Sequence, residues 1–140
     1  MADKKIIVAY DGSSDSKKAL SMATDLSKDI AADVVVVSVY DVPIALADGV
    51  SYSEWAADCE KACEARVAEG KKLCEDKGIV VYTEVLQGNP ADEIIKYAEN
   101  EQAYLIISGT RGLGGFARLL VGSVAHKIVT YSKIPVLVVK

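Results

Sequence analysis

The sequence predicts an α/β fold: an open parallel sheet with helices on both of its faces. Three observations carry that prediction. Strand-sized apolar runs alternate with helical patterns along the chain, in the order βαβαβαβαβ. Val34-Val35-Val36-Val37 sets four β-branched residues in succession, which argues strongly against helix. Tyr104-Leu105-Ile106-Ile107 is a bulky run without period-2 alternation, as suits a strand covered on both faces. The 140 residues, 51% of them hydrophobic, fit one compact domain spanning residues 1–140, without repeats, linkers or low-complexity segments. A chain of this size buries about two-thirds of its unfolded surface.

Taken in order, Lys5 to Tyr10 reads as the first strand, with Ile6, Ile7, Val8 and Ala9 as its buried run. Asp11-Gly12-Ser13-Ser14 ends it with turn formers and helix N-caps together. The first helix runs from about Ser14 to Ile30, burying Ala19, Leu20, Ala23 and Leu26 and facing Lys17, Lys18, Asp25 and Lys28 outward. Asp33 to Tyr40 is the second strand. Asp41 to Tyr52, with Pro43 and Gly49, is the longest connection. A long helix follows from about Ser53 to Lys77, stopped at Gly78, with Gly70 as a soft spot inside it. Ile79 to Leu86 is the third strand, and its polar members suggest a sheet edge. Asn89 caps the third helix, Pro90 occupies its first turn, and Asp92 and Glu93 suit its positive end. This helix turns Ile94, Ile95 and Ala98 inward and ends around Glu101. Pro135 to Val139 closes the chain as the fifth strand, with proline at its start as an edge strand allows.

Between the fourth and fifth strands lies the stretch that carries chemistry. After Ile107 the chain breaks into Gly109, Gly112, Gly114 and Gly115, four glycines in seven residues. An apolar helical pattern then begins near Ala117, with Leu119, Leu120, Ala125, Ile128 and Val129 available to face a core. Strand, glycine loop and helix start together present backbone N–H groups and a helix N-terminus to an anion. Gly122-Ser123 falls inside this helix or at a late start of it. A glycine in a helix costs roughly 1 kcal/mol against alanine. Close approach of a ligand accounts for it, and so does tight packing of helix on sheet.

Composition removes several function classes. The net charge of −4 and a pI near 5.0 argue against a nucleic-acid footprint, which needs clustered basic surface. Mean hydropathy is +0.20, yet no apolar run approaches the roughly 20 residues of a membrane helix. The opening MADKKIIVAY lacks an apolar segment long enough for a signal peptide, so a cytoplasmic protein is expected. Cys59, Cys63 and Cys74 lie within about 60° of one another on the second helix, in a stripe shared with Trp55, Ala62, Val67 and Leu73. Core packing is the reading for them, ahead of a redox sensor, and no metal site is expected. There is no G-x-x-x-x-G-K-[ST] and no G-x-G-x-x-G after the first strand, so neither a P-loop nor a dinucleotide fingerprint is present. A receiver domain fails as well. Asp11 is followed by Gly12-Ser13 rather than a second acid, and the third strand ends Val85-Leu86-Gln87, without an acceptor aspartate.

Gly109-x2-Gly112-x9-Gly122-Ser123 resembles the G-2x-G-9x-G-(S/T) signature of the ATP-binding branch of the universal stress protein family, matching at every fixed position. The resemblance spans the chain, through KKIIVAYDGS at the start, VVSVYDV, GNPADEII and the closing PVLVVK. It implies a Rossmann-like fold of the adenine nucleotide alpha hydrolase type with strand order 3-2-1-4-5, which five strands and right-handed crossovers alone do not fix. The first and fourth strands then flank the switch point, and the crevice at their carboxyl ends coincides with the glycine loop. The family resemblance implies ATP there, with AMP or ADP as alternatives and Mg2+ held through the phosphates. On that basis Val39 lines an adenine slot, while Gly109, Gly112, Gly122, Ser123, Val124 and Ala125 approach ribose and phosphates. Ala9, Tyr10 and Ser108 complete the rim. Asp11 stands where it could accept from ribose hydroxyls or help hold Mg2+, or simply cap the first helix. Arg111 and Arg118 are candidates to neutralise phosphate charge, with Arg118 equally suited to a solvated helix start. His126 is expected at the surface or on the dimer side, and Asp15 and Asp25 as solvated charge. The resemblance implies a regulatory or sensor module that homodimerises through its fifth strand. The rival readings are a slow ATP phosphohydrolase and a dimeric interaction protein independent of nucleotide. No lysine lies in the loop and no carboxylate follows its glycines, so no catalytic residue is assigned.

Overall fold

The computed structural model describes residues 3–41, 50–110 and 121–140. Five parallel strands form one sheet: β1 (Lys4–Ala9), β2 (Ala32–Tyr40), β3 (Val81–Gln87), β4 (Leu105–Gly109) and β5 (Val136–Val139). Their order is β3-β2-β1-β4-β5, the order the family resemblance implies. Among the described residues four helices connect them: α1 (Ser14–Ile30), α2 (Val50–Glu75), α3 (Pro90–Asn100) and α4 (Ser123–Tyr131).

Alternation along the central strands splits the core between two layers. Ile6, Val8, Val34, Val36 and Ile107 point toward α1 and α2, where they meet Ala19, Leu20, Ala23, Val67 and Cys74. Ile7, Val35, Val37 and Ile106 point the other way, onto Ala91, Ile94 and Ala98 of α3 and Ile128 of α4. Both faces of β1, β2 and β4 are therefore apolar, which is why their sequences read as unbroken hydrophobic runs. β3 and β5 are the edges, and the polar members of β3 are exposed or half-buried accordingly. The register sets Ile6 beside Val34 and Leu105, and Ile106 beside Val136.

Several side chains sit elsewhere than their sequence pattern suggests. Tyr104 is 48% exposed, because β4 begins one residue later and the ring lies outside the core beneath the Lys4 ammonium, 5.1 Å from its centroid. Trp55 and Leu73 are exposed, as is Ala62. The stripe that α2 buries is Cys63, Val67, Gly70 and Cys74, and those three residues lie beside it. Val129 is likewise exposed on α4, whose buried residues are Ala125 and Ile128. Leu119 and Leu120, and the connection from residue 42 to 49, lie outside the described residues.

Candidate functional site

The carboxyl ends of β1 and β4, at the reversal of strand order, bring three segments together: residues 9–13, residues 108–110 and the start of α4. The last strand residue, Ala9, is half-buried on the α3 and α4 side. The Tyr10 N–H donates to the Val37 carbonyl at 2.8 Å, and its ring turns into the opposite layer. There its hydroxyl donates to Glu69 Oε1 at 3.0 Å. Burial first, and the Glu69 carboxylate second, push this phenol up to about 12. The Tyr10 side chain thus belongs to the core under α1 and α2.

Asp11 half-emerges at the crevice, and its Oδ1 accepts from the Ser13 N–H at 2.9 Å. Gly12, at φ +83, turns the chain in between. The N-cap of α1 is Ser13, whose Oγ accepts from the Ser16 N–H at 3.2 Å, so the capping role open to Asp11 is taken by another residue. Asp11 instead fixes the turn that leads to the cap. Val39 stands near the carboxyl end of β2, half-buried against the layer that holds α3 and α4. Its neighbour Ser38 has a buried Oγ without a hydrogen-bond partner among the described residues.

At the end of β4, Ser108 is buried and its hydroxyl donates to the Gly109 carbonyl at 3.0 Å. A side chain on Gly109 would place its Cβ 2.8 Å from both the carbonyl carbon and the Cβ of Asp15. That glycine is therefore dictated by the approach of α1 to β4. Thr110 follows, buried, and its Oγ1 donates to Asp15 Oδ2 at 2.7 Å. Asp15 is half-buried in the first turn of α1, so it is part of the rim rather than solvated charge. Sequence reasoning missed both residues, because an acid in a first helical turn and a threonine after a strand are each unremarkable alone.

The start of α4 resolves the two readings of Gly122-Ser123 in favour of the late start. Gly122 is the N-cap, at φ −70 and ψ 167, with no side-chain cap. Extended geometry of this kind suits any residue, so nothing in the backbone requires glycine there. The amides of Ser123, Val124 and Ala125 precede the first intrahelical bond, which His126 N–H makes to the Gly122 carbonyl at 2.9 Å. They are the first-turn donors that a helix cannot satisfy itself, and the helix dipole adds about half a positive charge beside them. Ser123 is exposed, Val124 half-buried and Ala125 buried. His126 is exposed, on the flank of the helix. Arg111, Gly112 and Arg118 lie outside the described residues.

The cysteines form no disulfide among the described residues: Cys63 and Cys74 are buried and Cys59 half-buried. Burial pushes the Cys74 thiol up to about 11, which keeps it protonated and unreactive. Among the described residues no helix is long and apolar enough to cross a membrane.

An open doubly wound sheet whose switch point carries helix amides uncapped by any side chain among the described residues is the arrangement of α/β proteins that take anionic ligands at the carboxyl ends of their strands. Residues 3–140 match the Universal stress protein family, and the chain belongs to that family. It is 36% identical over 139 residues to universal stress protein MJ0531 of Methanocaldococcus jannaschii, covering 98% of this chain and 82% of that one. The solved structure of MJ0577 from the same organism matches with a TM-score of 0.88 at 30% identity, covering 98% of this chain and 95% of that chain. A universal stress protein solved in complex with cAMP has a TM-score of 0.76 at 24% identity, covering 98% and 97%, and shares the fold.

Proposed function

We propose that this protein binds ATP in the crevice between β1, β4 and the start of α4, as a regulatory or sensor module of the stress response. The observation that carries the reading is the N-cap of α4. A helix start favours Ser, Thr, Asn or Asp, whose side chains occupy the first-turn amides. Here a glycine stands in an ordinary backbone conformation and leaves those amides uncapped by any side chain of its own. A phosphate group is the ligand that fits such donors. Gly122 completes a glycine spacing that resembles the ATP-binding branch of the family. Relatives of the same fold were solved with cAMP and with dAMP, both adenine nucleotides.

In this reading the adenine lies against Val39, with Ala9 and Tyr10 contributing backbone to the rim. Asp11 accepts from ribose hydroxyls, and Ser108, Gly109, Gly122 and the amides of Ser123, Val124 and Ala125 surround ribose and phosphates. Arg111, Gly112 and Arg118 serve the same end from the glycine stretch. Mg2+ accompanies the triphosphate through its phosphate oxygens; AMP and ADP occupy the same crevice with fewer contacts. The module acts as a single-domain cytoplasmic homodimer joined through β5. Binding without efficient turnover is the favoured activity, since no lysine lies in the glycine stretch and no carboxylate follows its glycines. Isothermal titration of purified protein with Mg-ATP tests this, together with mass spectrometry of nucleotide released on denaturation. Binding in the micromolar range supports it. A dissociation constant weaker than about 1 mM, with no adenine nucleotide released, overturns it.

A further inference from the structure

Thr110 is bonded to three separate elements. Its N–H donates to the Val139 carbonyl of β5 at 3.0 Å, its carbonyl accepts from the Gly122 N–H at the head of α4, and its hydroxyl donates to the Asp15 carboxylate of α1 at 2.7 Å. It is 6% exposed, so the hydroxyl has little water to turn to. Thr110 and Gly122 bracket the glycine stretch, and their bond draws its two ends together. Gly109 brings the strand so close to α1 that a Cβ there would strike the Asp15 backbone. Asp15 lies in the first turn of α1, whose positive end favours its charge. The helix start and the Thr110 hydroxyl thus both stabilise the Asp15 carboxylate beside the crevice.

We infer that Asp15 and Thr110 are positioning residues: the Asp15 carboxylate fixes Thr110, and Thr110 fixes where α4 presents its first amides. The consequence for ligands rests on the nucleotide reading above, whereas the consequence for the amides does not. Contacts at the phosphate end depend on the pair; contacts to the nucleoside, made by β1 and β2, do not. The pair should thus distinguish ligands by phosphate number.

The test uses Thr110→Val, which keeps the shape and removes the donor, with Thr110→Ser as the conservative rescue and Asp15→Ala as the partner deletion. The first measurement is amide exchange of Gly122 by NMR in ligand-free protein. A hydrogen bond to a charged group is strong enough that its loss is expected to speed this exchange about tenfold or more in Thr110→Val and Asp15→Ala. Thr110→Ser should stay near wild type. The second measurement is calorimetric titration with ATP and with adenosine. Thr110→Val is expected to weaken ATP about tenfold while adenosine stays within about twofold. Equal losses for both ligands, tracking a lowered Tm, would reduce the pair to general stability and overturn the inference. Wild-type exchange in both Thr110→Val and Asp15→Ala would overturn it too. Should wild-type protein bind neither ligand, the nucleotide reading falls, and Gly122 exchange alone decides for or against the clamp.

Discussion

Gly109 lies so close to α1 that even a methyl group does not fit. With Asp15 backbone 2.8 Å from where a Cβ would be, Gly109→Ala must push β4 and the first turn of α1 apart. Overpacking of this kind costs about 1–3 kcal/mol, and urea unfolding is expected to show that loss. At the same scale, two buried acids make the protein sensitive to alkali. The Tyr10 phenol is raised from 10.0 to about 12 and the Cys74 thiol from 9.0 to about 11, chiefly by burial. Each is held neutral in the folded chain and ionises more readily in the unfolded one. Their contribution is complete below pH 9 and is lost as pH rises through about 11 and 12. Unfolding free energy should therefore fall steadily above pH 9, less steeply in Tyr10→Phe; a flat profile to pH 12 would contradict this. The sequence marks Gly109 as a glycine with a purpose, but not which purpose. Asp15 and Thr110 are 95 residues apart, and no local pattern links a first-turn acid to a hydroxyl at that separation.

Helix boundaries set by capping chemistry are legible in the sequence, and those set by tertiary packing are less so. α1 begins at Ser14 behind the Ser13 cap, and α3 begins at Pro90 behind Asn89, whose side chain accepts from the Asp92 N–H at 3.2 Å. α2 begins at Val50, ahead of the expected Ser53. The face α2 buries is also weakly marked in the sequence. Its apolar residues spread around the helix, and the decisive position, Gly70, carries no hydrophobic signal at all. A Cβ there would lie 3.1 Å from Val36 Cγ1, with Leu20 and Tyr10 carbons at 3.5 Å, so the glycine lets α2 close onto the sheet. Gly70→Ala gains about 1 kcal/mol of helix propensity and loses a comparable amount in crowding. It should melt within a few degrees of wild type, whereas Gly70→Ile should be destabilised by more than about 2 kcal/mol. Equal Tm values for the two variants would show that the contact yields freely.

For the molecule as a whole, the alternation of elements gives the layers, but only the family resemblance selects the order β3-β2-β1-β4-β5 that the structure has. Both edges of an open sheet need protection. β3 carries the exposed Tyr82 and Thr83 and the half-buried Glu84, while β5 is Val136-Leu137-Val138-Val139, uniformly apolar and half-buried. Pairing of β5 with its two-fold mate would satisfy both copies at once. Light scattering is expected to report a dimer, and Val138→Asp to shift it toward monomer; a wild-type monomer at micromolar concentration would rule the pairing out. The crevice sits at the opposite scale of subtlety, because its defining feature is the side chain that Gly122 lacks. Replacing it tests the nucleotide reading most directly. Gly122→Asp supplies the missing cap, which changes helix stability by only a few tenths of a kcal/mol relative to glycine, and sets a carboxylate on the amides a phosphate would use. Ligand at 100 times its dissociation constant stabilises a protein by about 2.7 kcal/mol, a shift on the order of 5–10 °C for a domain of this size. Wild type should show that rise with Mg-ATP, and Gly122→Asp should melt cooperatively near the wild-type temperature with no rise at all. An undiminished shift in Gly122→Asp would mean that the start of α4 does not hold the phosphates.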